Sequence, residues 1–467
     1  MNVTADTLSS ISVAALVTAM VTNENQKSDY TLVVGLGVTG ISVVRYLKSL
    51  GNNIVIVDSR KEPPGLEMLK TEFPEVSVYL GDFDEALFMG AKQIVISPGV
   101  SLKEDVIQHA ILQGVDVVGD VELFAQQVSA PVIAVTGSNG KSTVISLLGE
   151  MANTAGINAV VGGNIGVPVL DLINSNADLY ILELSSFQLE SLKSLKPVAA
   201  AVLNVSPDHM DRYANYDEYV GAKKQIYHQC KVAVINKDDD RVVDMQSGHQ
   251  FVTSFTLNEP AHGEFGLQKF DGETWLCKGD KKLIAEKALK LSGQHNVANA
   301  MAALALGEAA SLPLADMLIT LTKYSGLPHR TQFVAEKENV VWINDSKGTN
   351  VGATVAAIIG IEVKNKLILI AGGVAKDADF SSLKAVLKDK VRTVVLIGKD
   401  APKLEQALDS VVPSFYAKDM QDAVNICADL AHPGDTVLLS PACASFDMFN
   451  GYEQRGEVFI QAVKALQ

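Results

Sequence analysis

A phosphate-binding loop is indicated by VIAVTGSNGKSTVISLL, residues 132–148. An apolar strand leads into a glycine-bearing turn, and Lys141 stands where a helix begins, so its ammonium could reach terminal phosphates. Gly137 and Gly140 allow main-chain N–H groups to converge on phosphate oxygens. The usual loop pattern has a glycine where this chain has Val135. The segment therefore predicts either a nucleotide site with a different loop or a structural turn with an exposed lysine.

Candidate metal ligands stand at the ends of later strands. Glu183 ends an apolar run in LELSSFQLE, and His209 follows the next run in NVSPDHMDRY. Mg²⁺ takes carboxylate and phosphate oxygens, and the hydroxyl of Ser142 or Thr143 adds a further ligand. Taken singly, Glu183 could be a helix cap and His209 a hydrogen-bonded loop histidine. Their recurrence at successive strand ends favours one shared site.

A second glycine turn, GLGVTG, matches the diphosphate-binding pattern at Gly35, Gly37 and Gly40. It lies between a strand and a helix, and Asp58 ends the next strand, where a carboxylate can hold a ribose hydroxyl. A nucleotide sugar and a nicotinamide dinucleotide both fit these features. The sequence offers no clear catalytic set for hydride transfer, which disfavours an oxidoreductase.

The elements that must position these residues alternate along the chain as apolar strands and helical segments. Such alternation predicts an α/β protein with parallel sheets covered by helices on both faces. Three series of strands predict three domains, each with a largely parallel sheet. The predicted ranges are an N-terminal extension at 1–28 and domains at 29–121, 122–326 and 327–467. Residues 251–290 predict an inserted hairpin in the middle domain.

Composition narrows the class of partner. The net charge is −15, which makes a nucleic-acid or anionic-membrane partner a poor expectation. No apolar run reaches the roughly 20 residues of a membrane span, and no Lys or Arg precedes the mildly apolar residues 8–21 as a secretory signal requires. The four cysteines are scattered without a C-x-x-C pair, which favours a reducing, cytoplasmic setting.

The motifs together resemble one family. TGSNGKST, GGNIG, LELSSFQLE, NVSPDHMDRY, SGQHNVANA, GLPHR, NDSKGTN and SPACASFDMFNGYEQRG occur in this order. In this they are similar to the Mur ligases, and the resemblance runs from about residue 31 to the end of the chain. The family's phosphate loop, TGxNGKS/T, does not use the early glycine. The resemblance implies a Rossmann-like N-terminal domain, a phosphate-loop ATPase-like central domain and a Rossmann-like C-terminal domain.

The resemblance implies an ATP-dependent amide ligase of cytoplasmic peptidoglycan precursor synthesis. It is strongest to members that add D-glutamate to UDP-N-acetylmuramoyl-L-alanine through an acyl phosphate. The implied cofactors are ATP and Mg²⁺, with two ions expected. Lys223 in EYVGAKKQIY matches the lysine that this family carbamylates with CO₂. The implied partners are small-molecule substrates, and we expect a monomer.

The resemblance also implies residue roles. Lys141, Glu183, His209 and Lys223 are the implied catalytic residues, and the implied metal ligands are Ser142, Thr143, Glu183, His209 and Lys223. The implied ATP site comprises Gly137, Ser138, Asn139, Gly140, Lys141, Ser142, Thr143, Asn296, Asn299, Arg330 and Asp345. The implied UDP-sugar site comprises Gly37, Val38, Thr39, Asp58, Ser59, Arg60, Gly99 and Asn164. The implied D-glutamate site comprises Lys347, Thr349, Lys376, Ser445, Phe446 and Tyr452.

Two positions depart from the family pattern, and three other functions stay open. Tyr452 replaces a more usual apolar aromatic and Phe446 a leucine, and neither change removes a charge. A folylpolyglutamate synthase would share the ATPase and C-terminal domains, but residues 31–120 argue against it. A nicotinamide-dependent oxidoreductase would leave residues 132–143 idle, and a nucleotide-binding regulator would bind ATP without substrate-dependent turnover.

Overall fold

The computed structural model describes residues 29–173, 176–246, 248–291, 293–361, 363–375, 378–408 and 411–466. The predicted N-terminal extension, residues 1–28, and the predicted D-glutamate ligand Lys376 lie outside the described residues. The described chain divides into two compact units. The first contains the described residues up to Ser129 with Gly162–Asn176 and Ser186–Leu195, and the second contains the rest.

Strands and helices alternate along the described chain. The strands are β1 Thr31–Val34, β2 Ile54–Asp58, β3 Ser77–Leu80, β4 Gln93–Ile96, β5 Asp116–Gly119, β6 Val132–Thr136, β7 Ala159–Gly163, β8 Leu179–Glu183, β9 Ala199–Val202, β10 Val232–Asn236, β11 Val252–Phe255, β12 Phe265–Phe270, β13 Glu273–Lys278, β14 Lys281–Ala285, β15 Gln332–Lys337, β16 Val340–Asn344, β17 Leu367–Gly372, β18 Val391–Ile397, β19 Ser414–Tyr416 and β20 Thr436–Leu439. The α-helices are α1 Val38–Ser49, α2 Leu66–Glu72, α3 Glu85–Met89, α4 Asp105–Leu112, α5 Asp120–Gln127, α6 Lys141–Thr154, α7 Ser186–Glu190, α8 Tyr216–Lys224, α9 Asp240–Val243, α10 Gln294–Ala309, α11 Leu314–Leu321, α12 Val351–Gly360, α13 Leu383–Lys390, α14 Ala401–Leu408, α15 Met420–Leu430 and α16 Tyr452–Ala465. Short 3₁₀ turns cover Val169–Leu172, Gln225–Tyr227, Asp244–Gln246 and Glu286–Ala288.

The first unit contains a parallel sheet in the order β3–β2–β1–β4–β5. Its central strand β1 is buried along its whole length, as expected where helices cover both faces of a parallel sheet. The order reverses at β1, so ligands are expected beyond the carboxyl ends of the strands there. The glycine turn at 35–40 leaves the sheet at this position.

The second unit contains two sheets. One has the order β14–β13–β12–β11–β10–β9–β6–β8–β7. Its strands from β11 through β8 pair in parallel, whereas β12, β13 and β14 form an antiparallel extension. The phosphate loop leaves the central strand β6, next to β8 and β9. The ends of these three strands therefore bring Lys141, Glu183 and the segment after β9 to one edge.

The other sheet of the second unit has the order β15–β16–β20–β17–β18–β19. Only β15 runs antiparallel within the described pairing of this sheet. Its core strands β17 and β20 are buried throughout, with α12, α13 and α14 around one apolar cluster and α15 and α16 around another. The ends of β16 and β20 carry the segments with Lys347 and Ser445.

The predicted fold class is confirmed: three largely parallel sheets flanked by helices. The predicted hairpin is also confirmed, since β13 and β14 pair in antiparallel fashion. The short strands β3, β5, β15 and β19 were not predicted individually. The domain boundaries near residues 121 and 326 stay predictions. Among the described helices, none combines the length and apolar character needed to cross a bilayer.

Candidate active site

The phosphate loop requires glycine at two positions. Gly137 has φ of 150° and Gly140 has φ of 86°, both in the region that L side chains rarely adopt. A Cβ on Gly140 would lie 2.4 Å from Oδ1 of Asn299. The conformation and the close packing explain why glycine precedes Lys141, the first residue of α6.

Neighbouring segments brace the loop. The N–H of Asn139 donates to Oδ1 of Asn204 at 2.8 Å, and Nδ2 of Asn204 donates to the Asn139 carbonyl at 3.1 Å. The Ser138 hydroxyl donates to the Ser206 carbonyl and accepts from the Ser206 N–H, each at 2.9 Å. The polar groups of Ser138 are therefore occupied within the protein. Sequence reasoning missed Asn204, although its place just after β9 was the available signal.

Two lysines meet at the loop. Nζ of Lys141 donates to the Gly137 carbonyl at 2.7 Å, and Nζ of Lys223 donates to the same oxygen at 3.1 Å. Burial lowers the pKa of Lys141, with Glu183 opposing that shift. Burial, reinforced by Lys141, lowers the pKa of Lys223 well below its usual value. Lys223 is only 2% exposed, so its neutral amine is favoured.

Local sequence explains why Lys223 lies on a helix at this point. The side chain of Asn215 caps α8 by accepting from the N–H of Glu218 at 2.9 Å. Asp217 and Glu218 occupy the first turn, where their negative charge suits the helix dipole. The ring of Tyr219 lies under Lys223, with Nζ 4.6 Å from the ring centre.

Three side chains from separate segments converge on the start of α6. The Ser142 hydroxyl donates to Oε2 of Glu183 at 2.7 Å. Nη2 of Arg330 donates to the same hydroxyl oxygen at 2.6 Å. Glu183 is 1% exposed, at the end of β8. The structure thus brings a carboxylate, a hydroxyl and a guanidinium together beside Lys141.

His209 follows β9 in the chain and lies on the wall of a cavity next to the phosphate loop. It has φ of 57°, and its Nε2 is 3.8 Å from Oδ2 of Asp208. It lines a cavity of about 480 Å³ that also borders Thr349. The charge of Asp208 raises the pKa of both Lys141 and Lys223, although burial outweighs it at each. His209 is therefore close to the phosphate loop but faces the second cavity.

The first cavity, about 380 Å³ in volume, lies beside the phosphate loop. It is lined by residues from segments around both sheets of the second unit. Among the predicted nucleotide residues, those lining it are Asn139, Gly140, Thr143, Asn296, Asn299, Arg330 and Asp345, together with Lys347. Asn299 and Asn296 are joined by a hydrogen bond of 3.4 Å. Most of the ATP residues implied by the family resemblance thus surround one hollow.

Asp345 is a buried carboxyl on the wall of this first cavity. Its Oδ2 accepts from the Ser440 hydroxyl at 2.7 Å, and its Oδ1 accepts from the Thr331 N–H at 3.1 Å. Burial raises its pKa to about 6, with these hydrogen bonds and Arg330 opposing the shift. A buried carboxyl with a raised pKa on the wall of a cavity is typical of a functional site.

Metal ligation is supported by chemistry rather than by a preformed cluster. Within the described residues, no group of three His, Cys, Asp or Glu side chains is arranged to hold a metal ion. The pair of Ser142 and Glu183 supplies oxygen donors, which are the ligands Mg²⁺ prefers. The donor chemistry therefore fits Mg²⁺.

The residues predicted to bind D-glutamate lie in different surroundings. Nζ of Lys347 lies 3.8 Å from the ring centre of Tyr452, and burial lowers the pKa of Lys347 to about 8. Thr349 lines the second cavity, and Ser445 is buried after β20. Phe446 is 75% exposed and lines neither cavity. Lys347 and Tyr452 thus form the compact part of this predicted site.

Arg455 is a site-supporting residue that sequence reasoning missed. It is 1% exposed, and its guanidinium donates to the Ser346 hydroxyl and carbonyl and to the Cys443 carbonyl. The Ser346 hydroxyl in turn donates to the Tyr452 carbonyl at 2.8 Å. The position of Arg455 one helical turn after Tyr452 was the available signal.

The first unit contains the second glycine turn. A Cβ on Gly40 would lie 2.1 Å from the Gly35 carbonyl oxygen, whereas one on Gly37 would meet nothing within 4 Å. Asp58 accepts from the Leu36 N–H at 2.7 Å and from the Arg60 guanidinium. Burial opposes ionisation, but these hydrogen bonds hold the pKa of Asp58 below its usual value. The turn thus has open space beside Gly37. Next to it, the ionised carboxylate of Asp58 is hydrogen-bonded to the Arg60 guanidinium.

The other residues predicted to hold the UDP-sugar lie at the start of α1 and after three different strands. Val38 and Thr39 begin α1, and Val38 is 72% exposed. Ser59 follows β2, Gly99 follows β4, and Asn164 follows β7.

Three family models match successive parts of the chain. They are described as the Mur ligase MurD-like N-terminal domain at residues 29–119, the Mur ligase middle domain at 135–307, and the Mur ligase glutamate ligase domain at 329–443. Together they span most of the described structure.

Relatives agree with these matches, and solved structures share the fold. UDP-N-acetylmuramoylalanine–D-glutamate ligase of Nitrosococcus oceani is 54% identical, covering 93% of this chain and 96% of that protein. The ligase of the same name from Marinobacter nauticus is 51% identical, covering 93% and 98%. The MurF ligase of Thermotoga maritima, solved in complex with ADP, has a TM-score of 0.59 at 17% identity, covering 88% of this chain and 95% of that one. MurC of Thermotoga maritima has a TM-score of 0.58 at 17% identity, covering 93% and 99%.

Proposed function

This chain belongs to the Mur ligase family, and from that premise we propose that it joins D-glutamate to UDP-N-acetylmuramoyl-L-alanine at the expense of ATP. The relatives that are about half identical over nearly their whole length bear the name of this ligase. A carboxylate is a poor acyl donor, so such a ligase needs a phosphoryl group to activate it.

One observation carries the proposal: the Ser142 hydroxyl joins Glu183 and Arg330 at the start of α6, beside the cavity that Lys347 also lines. A phosphoryl-transfer site needs positive groups around the transferring group and an oxygen ligand for its metal. An amino-acid site needs a cation for a side-chain carboxylate. Arg330 and Lys347 both line this cavity, and Arg330 also contacts Ser142, which supports the proposal that the two half-reactions share it.

ATP and Mg²⁺ fit this arrangement. In the proposal, the N–H groups of the loop and Lys141 hold the phosphates, and Arg330 neutralises charge that develops on the γ-phosphoryl group. Ser142 and Glu183 would hold Mg²⁺, with Thr143, His209 and a carbamate as further expected ligands. The bound metal would supply charge neutralisation for the phosphates.

Lys223 is suited to carbamylation. A neutral amine attacks CO₂ and the nitrogen then releases a proton, so a lysine with a lowered pKa reacts more readily. Burial lowers the pKa of Lys223 well below the usual value. The product is an anion close to Lys141, which would compensate the positive charges gathered at the loop.

The proposed chemistry has two steps. The terminal carboxylate of UDP-N-acetylmuramoyl-L-alanine attacks the γ-phosphorus, and the bond to the β–γ bridging oxygen breaks, giving an acyl phosphate and ADP. The amine of D-glutamate then attacks the acyl carbon, phosphate leaves, and the amine loses a proton. In this account the chain's main contribution is to orient the reactants and exclude water.

The substrates are proposed to bind on separate elements. The glycine turn of the first unit, with Asp58 and Arg60, would hold the uridine diphosphate. Lys347 would pair with a carboxylate of D-glutamate while stacked on Tyr452. Lys376 lies outside the described residues, so its role as a further D-glutamate ligand stays an expectation. We propose that the enzyme acts as a monomer in the cytoplasm, where peptidoglycan precursors are assembled.

The test is an omission assay. The protein is supplied with ATP, Mg²⁺, UDP-N-acetylmuramoyl-L-alanine and D-glutamate, and phosphate release is measured with each component left out in turn. The proposal expects release only with all four. Release without the UDP-sugar would instead favour another glutamate ligase, and ATP binding without turnover would favour a regulator.

A further inference from the structure

Asn350 touches three parts of the second unit at once. Its Oδ1 accepts from the Ala353 N–H at 2.8 Å and caps α12. Its Nδ2 donates to Oδ1 of Asn139 and to Oδ2 of Asp208, both at 3.2 Å. Because the helix end needs an acceptor, the amide oxygen faces α12 and the nitrogen must face the other two residues.

The two acceptors come from different segments of the site: Asn139 lines the first cavity and Asp208 lines the second. Asn139 lies in the phosphate loop, and Asp208 precedes His209. Asn350 itself follows directly on the segment that carries Lys347 and Thr349. A single amide therefore joins the loop, the His209 segment and the amino-acid segment.

The packing around this junction is close. A Cβ on Gly352 would lie 2.8 Å from the Ser206 hydroxyl oxygen and 3.4 Å from Nδ2 of Asn139. Ser206 is also the partner of the Ser138 hydroxyl. A shift of the phosphate loop is therefore transmitted to the start of α12 through both a hydrogen bond and direct contact.

We infer that Asn350 is a positioning residue that couples the phosphate loop to the amino-acid segment, so that nucleotide and D-glutamate strengthen each other's binding. The coupling of nucleotide to D-glutamate rests on the proposed function, but the physical link between the loop and residues 345–353 does not. By reciprocity, a link that favours one ligand's arrangement must favour the other's.

Two variants separate the coupling from the helix cap. Asn350→Asp keeps a capping oxygen but loses the donor and sets a carboxylate against Asp208. Asn350→Ser also keeps a capping oxygen and replaces the amide NH₂ with a shorter hydroxyl, without adding charge. Asp419→Ala is the matched control, because Asp419 caps α15 by accepting from the Asp422 N–H and touches neither cavity.

The measurements are KM for D-glutamate and for ATP, and amide hydrogen exchange of residues 345–353 with and without ADP. We expect KM for D-glutamate to rise about tenfold in Asn350→Ser and further in Asn350→Asp, the size expected for one hydrogen bond to a charged group. ADP should slow exchange in the unmodified protein and not in either variant, whereas Asp419→Ala should behave as the unmodified protein.

Unchanged KM values together with ADP-induced protection in both Asn350 variants would overturn the inference. If the unmodified protein shows no D-glutamate-dependent turnover, the proposed function fails. In that case the exchange measurement still decides whether Asn350 transmits nucleotide binding.

Discussion

Lys141 and Lys223 donate to one carbonyl oxygen, that of Gly137, from Nζ distances of 2.7 and 3.1 Å. Two ammonium groups so close together repel, and burial increases the cost of holding both charged. The repulsion between the two ammonium groups disappears if one lysine is neutral. Of the two lysines, Lys223 has the more strongly lowered pKa. The lysine whose neutral amine is more strongly favoured is therefore the one that the family resemblance marks for carbamylation.

Replacing Lys223 with alanine should abolish most ligase activity, because the proposed carbamate can no longer form. A short-chain carboxylate such as acetate should restore part of it by occupying the space with an anion. Phosphate release at increasing acetate concentration is the measurement. Lys224→Ala is the control, since Lys224 is the next residue of α8 and is exposed. Loss of activity in Lys224→Ala but not in Lys223→Ala would contradict the assignment.

Arg330→Ala should lower kcat by at least about a hundredfold, because the guanidinium that reaches the Ser142 hydroxyl is proposed to neutralise the transferring phosphoryl group. Arg330→Lys keeps the charge but not the planar donor set, so it should recover only part of the rate. Steady-state kinetics with varied ATP separates the effects. A change in KM for ATP alone would assign Arg330 to ground-state binding.

Binding of D-glutamate should weaken above about pH 8. Burial lowers the pKa of Lys347 to about 8, so the ammonium that pairs with a carboxylate is lost as the pH rises through that value. KM for D-glutamate between pH 7 and pH 10 is the measurement. In Lys347→Arg the charge persists at high pH, so this rise should disappear. A rise of equal size in both proteins would point to a different group.

The sequence predicted what depends on local pattern. Apolar runs followed by glycine or polar residues located β6 and β8, and with them Lys141 and Glu183. Short strands at or near sheet edges, such as β3 and β19, were not predicted, because only three or four residues pair and their side chains stay partly exposed. Such runs carry little apolar signal.

Contacts between distant segments could not be predicted from spacing. Asn350 and Asn139 are 211 positions apart, and Arg455 reaches Ser346 across 109 positions. Polar residues of this kind look like surface positions in a sequence. Only the fold brings them to the site.

Asp120 should destabilise the protein at neutral pH. It is buried, its Oδ1 has no partner among the described residues, and Gln188 donates to its Oδ2 at 3.3 Å. Burial raises its pKa to about 6. Because this exceeds the ordinary value, the folded state binds more protons and stability falls as pH rises through about 4 to 6.

Asp120→Asn should therefore raise the free energy of unfolding at pH 7 by about 1–3 kcal/mol and change it little at pH 3.5. Urea unfolding at both pH values is the measurement. Glu122→Gln should act in the opposite direction at pH 7. Burial disfavours the Glu122 carboxylate, but hydrogen bonds from Ser194 and Lys193 hold its pKa below the usual value. Equal effects of the two substitutions would contradict this account.

The most direct test of the proposed chemistry follows one oxygen atom. UDP-N-acetylmuramoyl-L-alanine is prepared with ¹⁸O in its terminal carboxylate, and the phosphate released with ATP and D-glutamate is analysed by mass spectrometry. Activation as an acyl phosphate transfers one labelled oxygen to each phosphate. Phosphate that carries no label would show that the carboxylate is never phosphorylated, and the account would be wrong.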